Sequence, residues 1–232
     1  MAENISLALP KGVRYALIGP NGAGKTTLIN LITGMVAPDS GEILLGEEHI
    51  ESLKPHQRVQ RGLARTFQIN TLFPHLTALE SVTLSVLERE GQAHNWWRSL
   101  AKFSAATDEA ATILKSLGLE KNIQRETREL AYGQQRLLEI ALALATRPRV
   151  LLLDEPAAGV PRSESAELFA AVEGLSSDLT VLFIEHDMDV VFRFASRILV
   201  MVGGRILVEG APQDIARDQR VREVYLGAGH AA

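Results

Sequence analysis

The sequence predicts an α/β fold: a mostly parallel β-sheet flanked by helices, with small antiparallel β elements and an inserted helical subdomain. Three observations predict it. Short apolar runs alternate with helical patterns toward both ends of the 232-residue chain, the order that builds a parallel sheet. One such run, residues 13–18, passes straight through a glycine-rich loop into a helical pattern. Between about residues 74 and 145 strong strand signals vanish and helical periodicity takes over.

Each element follows from local pattern. Residues 13–18 read as a buried strand, and residues 26–35 as a helix with Leu28, Leu31 and Ile32 inward. Pro38-Asp39-Ser40-Gly41 is a turn signal before a short strand at 42–45. Residues 63–68 form another short strand. In the helical block, helices are expected at 81–90, 107–117 and 134–145; the last puts Leu137, Ile140, Ala141 and Leu144 on one stripe. Strands return at 150–153 and 180–184, with a helix near 163–175 between them. Two apolar runs at 197–202 and 205–208, joined by Gly203-Gly204, signal a hairpin. A last helix covers 221–226. The domain division follows: residues 1–73 and 146–232 form the α/β core, and 74–145 the helical subdomain.

Composition narrows the function. Hydrophobic residues make up 46% of the chain, ample for a packed core. The net charge of −4 gives no global basic field for nucleic acid. Cysteine is absent, which removes disulfides and thiolate metal sites and suits a cytosolic setting. No apolar run approaches the roughly 20 residues that span a bilayer, and residues 1–10 lack a signal peptide's basic start and long apolar stretch. A membrane partner, if one exists, is another chain.

Gly19-Pro20-Asn21-Gly22-Ala23-Gly24-Lys25-Thr26 matches the complete G-x4-G-K-[ST] phosphate loop, followed by Thr27. It lies between strand and helix, the context the motif requires. Glycines let backbone N–H groups converge on phosphate oxygens, and the helix N-terminus adds partial positive charge. Lys25 is expected to reach the β- and γ-phosphates and Thr26 to ligate Mg²⁺. The core is therefore expected to be of the P-loop NTPase (RecA-like) type. Val150-Leu151-Leu152-Leu153-Asp154-Glu155 is an apolar strand delivering two acids to the sheet's C-terminal edge. Asp154 is expected to hold Mg²⁺ through water, and Glu155 to accept a proton from the attacking water.

Leu130-Ala131-Tyr132-Gly133-Gln134-Gln135-Arg136, between the loop and the acids, resembles the signature of the ATP-binding subunits of ABC transporters. That family usually reads Leu-Ser-Gly-Gly-Gln, so Ala131 stands where serine is expected. The resemblance covers essentially the whole chain. It implies that His186 is the switch histidine contacting the γ-phosphate, and that Gln68 is the Q-loop glutamine touching Mg²⁺ and the attacking water. It also implies a head-to-tail pair of subunits, identical or paralogous, with Ala131, Tyr132, Gly133 and Gln134 closing over the partner's ATP. The other partners implied are membrane permease subunits and, indirectly, a substrate-binding protein. The implied place is cytoplasmic, peripheral on the inner face of the cell membrane. Losing the serine hydroxyl removes one hydrogen bond to a charged group, typically worth about 1.5–3 kcal/mol. A slower site is therefore expected.

Asn30-Leu31-Ile32-Thr33-Gly34, Arg65-Thr66-Phe67-Gln68, Tyr132, Asp154-Glu155-Pro156-Ala157-Ala158-Gly159 and Val224-Tyr225-Leu226-Gly227 resemble the branched-chain amino-acid importer branch. Urea-type and lipopolysaccharide-export subunits share parts of this pattern. Family members usually carry a strand and an adenine-stacking aromatic well upstream of the phosphate loop. This chain starts too late for either, and Tyr15, inside the strand, is no substitute. Either the chain is truncated, or adenine contributes little and binding relies on phosphate contacts; loss of the strand would leave one sheet edge without a partner. Val160-Pro161 stands where the family has Leu-Asp or Leu-Asn, which removes a polar side chain and an N–H from the loop facing the opposite site. The other histidines, His49, His56, His75, His94 and His230, show no ligand spacing. Asn95-Trp96-Trp97-Arg98 packs within the helical block on the simpler reading, or meets the permease. The expected function is an importer's ATPase for branched-chain or related amino acids. The alternatives are an ATPase of a lipid or urea-type system and a degenerate regulatory module.

Overall fold

The computed structural model describes residues 2–66, 72–92 and 103–227. Gln68, His94, Trp96, Trp97 and His230 lie outside them. The chain forms β1 (Arg14–Ile18), α1 (Lys25–Thr33), β2 (Leu44–Leu45), β3 (Glu48–His49), α2 (Pro55–Gln60) and β4 (Leu63–Arg65). Helices α3 (Ala78–Arg89), α4 (Ser104–Ser116) and α5 (Tyr132–Ala145) follow, with 3-10 turns at Glu120–Asn122 and Thr127–Glu129. Then come β5 (Val150–Asp154), α6 (Arg162–Glu173), β6 (Thr180–Ile184), α7 (Met188–Phe194), β7 (Arg197–Val202) and β8 (Arg205–Gly210). Helices α8 (Pro212–Arg217) and α9 (Gln219–Gly227) close the described chain.

Six strands form one sheet in the order β4-β5-β6-β1-β7-β8. All neighbours are parallel except the β7–β8 hairpin, which turns at Gly203-Gly204 and carries an irregularity at Val200/Met201. The expected small antiparallel element is the two-stranded β2–β3 ladder. Strand residues alternate between two cores, as the period of two dictates. Ala16, Ile18, Leu151, Leu153, Val181, Phe183, Ile198 and Val200 face one cluster. Tyr15, Leu17, Leu152, Leu182, Ile184, Leu199 and Met201 face the other. Because both faces are covered, these strands read as continuous apolar runs.

The first face is covered by α3, α5 and α6, whose Val82, Leu138, Ile140 and Phe169 are buried there. Phe169 packs edge-on to Phe183 and stacks on Phe194 of α7. The second face is covered by α1 and the β2–β3 region, through Leu28, Ile29, Leu45 and Ile50. Ile5, Leu7 and Leu9 pack against this second core.

Two helix faces differ from the sequence reading. In α1 the buried pair is Leu28 and Ile29, while Leu31 and Ile32 are half-buried. In α5 the fully buried residues include Leu138, Ile140, Ala141 and Ala145, with Leu137 and Leu144 at the margin. In both cases a helix wedged between two partners buries a wider arc than one stripe. Arg58 of α2 is 1% exposed and caps the end of α1. Its guanidinium donates to the carbonyls of Leu31 and Ile32, both at 2.7 Å, and to those of Leu53 and Glu51. Gly34, at φ 78°, lies against that guanidinium, leaving no room for a Cβ. Among the described residues no helix is long and apolar enough to cross a membrane.

Candidate functional site

Strand adjacency builds the site. β6 lies between β5 and β1, and Ile184 is in register with both Asp154 and Leu17. The segments that follow those three strands therefore emerge at one level of the sheet's C-terminal edge. These are the phosphate loop after β1, Glu155 after β5, and Glu185-His186 after β6.

The loop's conformation depends on its glycines. A Cβ on Gly19 would strike the Met201 carbonyl of β7, and Gly24 is left-handed, at φ 99°, where α1 begins. No side chain caps α1, and no acid occupies its first turn. Its N-terminal N–H groups can therefore take an anion. Lys25 is 8% exposed, and its ammonium donates to the carbonyls of Gly19 at 2.7 Å and Pro20 at 3.1 Å. Burial pulls its pKa below the usual lysine value, opposed first by Glu155 and then by Asp154. The positive end of Lys25 thus faces both acids.

Asp154 is 8% exposed and accepts from Arg65 of β4 through Oδ2 at 2.6 Å. Glu155 has left-handed backbone, φ 49°, a conformation that costs a non-glycine residue about 1–3 kcal/mol and gathers at functional sites. Its Oε1 lies 2.9 Å from His186 Nε2, a contact satisfied when Nε2 carries the proton and donates. Glu185 is buried, and burial pushes its carboxyl up. It accepts from the N–H groups of Ala157 and His186, both at 3.1 Å, and so ties the segments after β5 and β6 together. A cleft of about 230 Å³ opens beside Glu155 and His186, space for several waters at about 30 Å³ each.

Residues 131–134 make a different neighbourhood. Ala131 is the N-cap of α5 and offers it no side-chain bond; Gln134 Oε1 accepts from the Ala131 N–H at 3.2 Å. The Tyr132 hydroxyl donates to the Ala158 carbonyl at 3.1 Å, and its ring covers Gly159. Gly133 lies against Glu164 of α6 so closely that a Cβ would need that side chain to move. Arg136 and Glu139 form a buried pair at 3.0 Å, with Arg136 also reaching Ala158. These described contacts all lie within the chain and none is with the phosphate loop.

Sequence reasoning placed Lys25, Asp154, Glu155 and His186 together, and the structure groups them. It missed Arg65, Glu185 and Tyr225. Glu185 was visible as an acid ending an apolar strand. Arg65 and Tyr225 stood in motifs that carried the branch resemblance, but nothing local gave either a place in the site. Tyr225 of α9 lies beside the Gly19 backbone, and desolvation pushes its phenol up. Tyr15 is 1% exposed, with its hydroxyl on Glu209, and so cannot stack on a base.

A phosphate loop at the C-terminal edge of a doubly covered parallel sheet, facing two acids and a histidine, defines a nucleotide-binding protein of the P-loop class. The match to known families is specific. Residues 2–158 match the ABC transporter family, and residues 205–231 match the branched-chain amino acid ATP-binding cassette transporter family. The chain is 40% identical to the high-affinity branched-chain amino acid transport ATP-binding protein LivG of Salmonella typhimurium, over 97% of this chain and 91% of that protein. It is 41% identical to the corresponding protein BraF of Pseudomonas aeruginosa over the same shares. Among solved structures, the ADP conformation of MJ1267, an ATP-binding cassette of an ABC transporter, superposes with a TM-score of 0.84 at 32% identity, covering 96% of this chain and 91% of that one. The dimeric structure of MJ0796, a bacterial ABC transporter cassette, gives 0.74 at 26%, covering 91% and 90%. The chain belongs to the ABC transporter ATP-binding family, whose cassettes bind nucleotide and hydrolyse ATP to power transport.

Proposed function

We propose that this chain energises a membrane permease importing branched-chain or related amino acids, from the cytoplasmic face of the membrane. Two such subunits sandwich two ATP molecules, and closure drives the permease. The similarity to LivG and BraF along nearly the whole chain supports the solute class, and the C-terminal family match supports the branch. The helices within residues 74–145 act as a separate subdomain that docks on the permease. A substrate-binding protein delivers the solute outside.

Mg²⁺ fits the site. Among the described residues no cluster of three or more acids, histidines or cysteines could hold a metal alone. Mg²⁺ usually takes one or two protein oxygens and completes its shell with water and phosphate. The Thr26 hydroxyl and Asp154 would supply such a pair; the resemblance adds Gln68, which lies outside the described residues. When bound, Mg²⁺ would neutralise charge on the phosphates.

The chain's own residues position and polarise. Loop N–H groups from Gly19, Asn21, Gly22, Ala23 and Gly24, with those of Lys25, Thr26 and Thr27, cradle the phosphates. Lys25 exchanges its carbonyl partners for phosphate oxygens. Glu155 takes the proton of the attacking water, and His186 orients Glu155 and the γ-phosphate. Residues 131–134 present the N-terminus of α5 to the partner's nucleotide; since Tyr132 lies on Ala158, backbone N–H groups carry that contact.

The 2.9 Å contact between Glu155 and His186, beside Lys25, carries this reading. Glu155→Gln keeps the shape and removes the base. We expect ATP binding to persist, turnover to fall at least about 100-fold, and closed dimers to accumulate with ATP. Near-normal turnover in the assembled transporter would overturn the role of Glu155.

A further inference from the structure

We infer that Arg65 is a positioning residue for the metal half of the site, bracing Asp154 against α1 and so fixing its distance from Thr26. The inference rests on the reading of Thr26 and Asp154 as the metal's holders. One guanidinium joins two elements: Nη2 donates to Asp154 Oδ2 at 2.6 Å, and Nη1 donates to Asn30 Oδ1 at 2.7 Å. The arginine fork is planar and rigid, so its two arms hold their partners at a set separation.

Both partners lead directly to the site. Asn30 is four residues after Thr26 on α1, one turn along the same face, so a restraint on Asn30 is a restraint on Thr26. Asp154 is the last residue of β5, and Arg65 is itself in register with Leu152 of that strand. The Arg65 side chain is 13% exposed and that of Asp154 8%, so the pair is little screened. This bond engages Oδ2 of Asp154, so Oδ1 is the oxygen that would accept from a metal-bound water.

The opposing interpretation is that Arg65 is a counter-ion that the metal must displace. The two make opposite predictions. A competitor's removal raises Mg²⁺ affinity; a brace's removal lowers it. The Asn30 anchor favours the brace, because a guanidinium held from two sides has no reason to leave when Oδ1 is available.

The test is calorimetry on the full chain, measuring ATP affinity with Mg²⁺ and with EDTA. In Arg65→Gln, we expect the tightening due to Mg²⁺ to fall by about tenfold or more, the usual effect of losing a group that orients a metal's ligand. Affinity in EDTA should stay within about twofold, since the loop and Lys25 are intact. Asn30→Ala, a milder change that guards against misfolding of the first variant, should show part of the same loss. The double variant should add little to Arg65→Gln, because both remove one brace. Arg65→Lys should rescue only partly, since one ammonium cannot replace the fork. An unchanged or increased Mg²⁺ effect in Arg65→Gln or Asn30→Ala overturns the inference. If Mg²⁺ fails to tighten ATP binding in the unaltered chain, the Thr26–Asp154 reading itself fails, a distinct result.

Discussion

Ala131 is where a single side chain has two consequences. As the N-cap of α5 it leaves the helix without a side-chain acceptor, and on the proposed function it also withholds a hydroxyl donor from the partner's nucleotide. Replacing it with serine should repair both. We expect Ala131→Ser to stabilise the chain by about 0.5–1 kcal/mol through the cap, read as a rise in thermal midpoint. Turnover of the assembled transporter should rise about tenfold if one hydrogen bond to a phosphate is regained. An unchanged turnover would mean that backbone N–H groups alone carry the contact. Glu155 is the complementary case: its side chain was legible from sequence, whereas its left-handed backbone and its histidine partner were not. Those depend on where β6 ends relative to β5.

Among the elements, the three helices between β4 and β5 are held by a charged clamp at one end. Glu109 of α4 accepts from Arg89 of α3 at 2.6 Å and from Arg147, just past α5, at 2.8 Å; Arg89 also donates to the Ala145 carbonyl. The hydrogen bond from Arg89, more than that from Arg147, holds the Glu109 carboxyl down at about 2, against an ordinary 4.5. A depressed carboxylate pKa means stability present above the ordinary value and lost as pH falls toward the folded one. We therefore expect Glu109→Gln to cost about 1–3 kcal/mol at neutral pH. The gap between it and the unaltered chain should shrink as pH falls from 4.5 to about 2. A gap that persists at the acid end would assign the loss to packing. The sequence placed these helices within a few residues of their observed ends because their amphipathic periods are long. It could not show the clamp, whose members lie on three separate segments.

At the scale of the whole molecule, function depends on the sheet bringing three loops to one edge, so nucleotide should tie the fold together. Mg·ATP at about 100 times its dissociation constant should add about 2.7 kcal/mol, or about 5–10 °C in midpoint, to the unaltered chain. Lys25→Ala should lose most of that shift. An equal shift in the variant would place the nucleotide elsewhere. The sequence by itself determined the class of fold, the phosphate loop, the acids and the family. These are local: a strand's apolar run, a glycine spacing and an acid after a strand are read from neighbours in the chain. Strand ends were legible in part for the same reason: 180–184 is observed as written, whereas 42–45 shortens to Leu44–Leu45 and 205–208 extends to Arg205–Gly210. What only the tertiary structure decided are pairings between residues far apart in sequence: Arg65 with Asp154 and Asn30, Glu185 with Ala157, Tyr132 with Ala158, and Arg58 with the end of α1. No local pattern encodes such contacts, because each exists only once strand order and helix packing have fixed which distant segments meet.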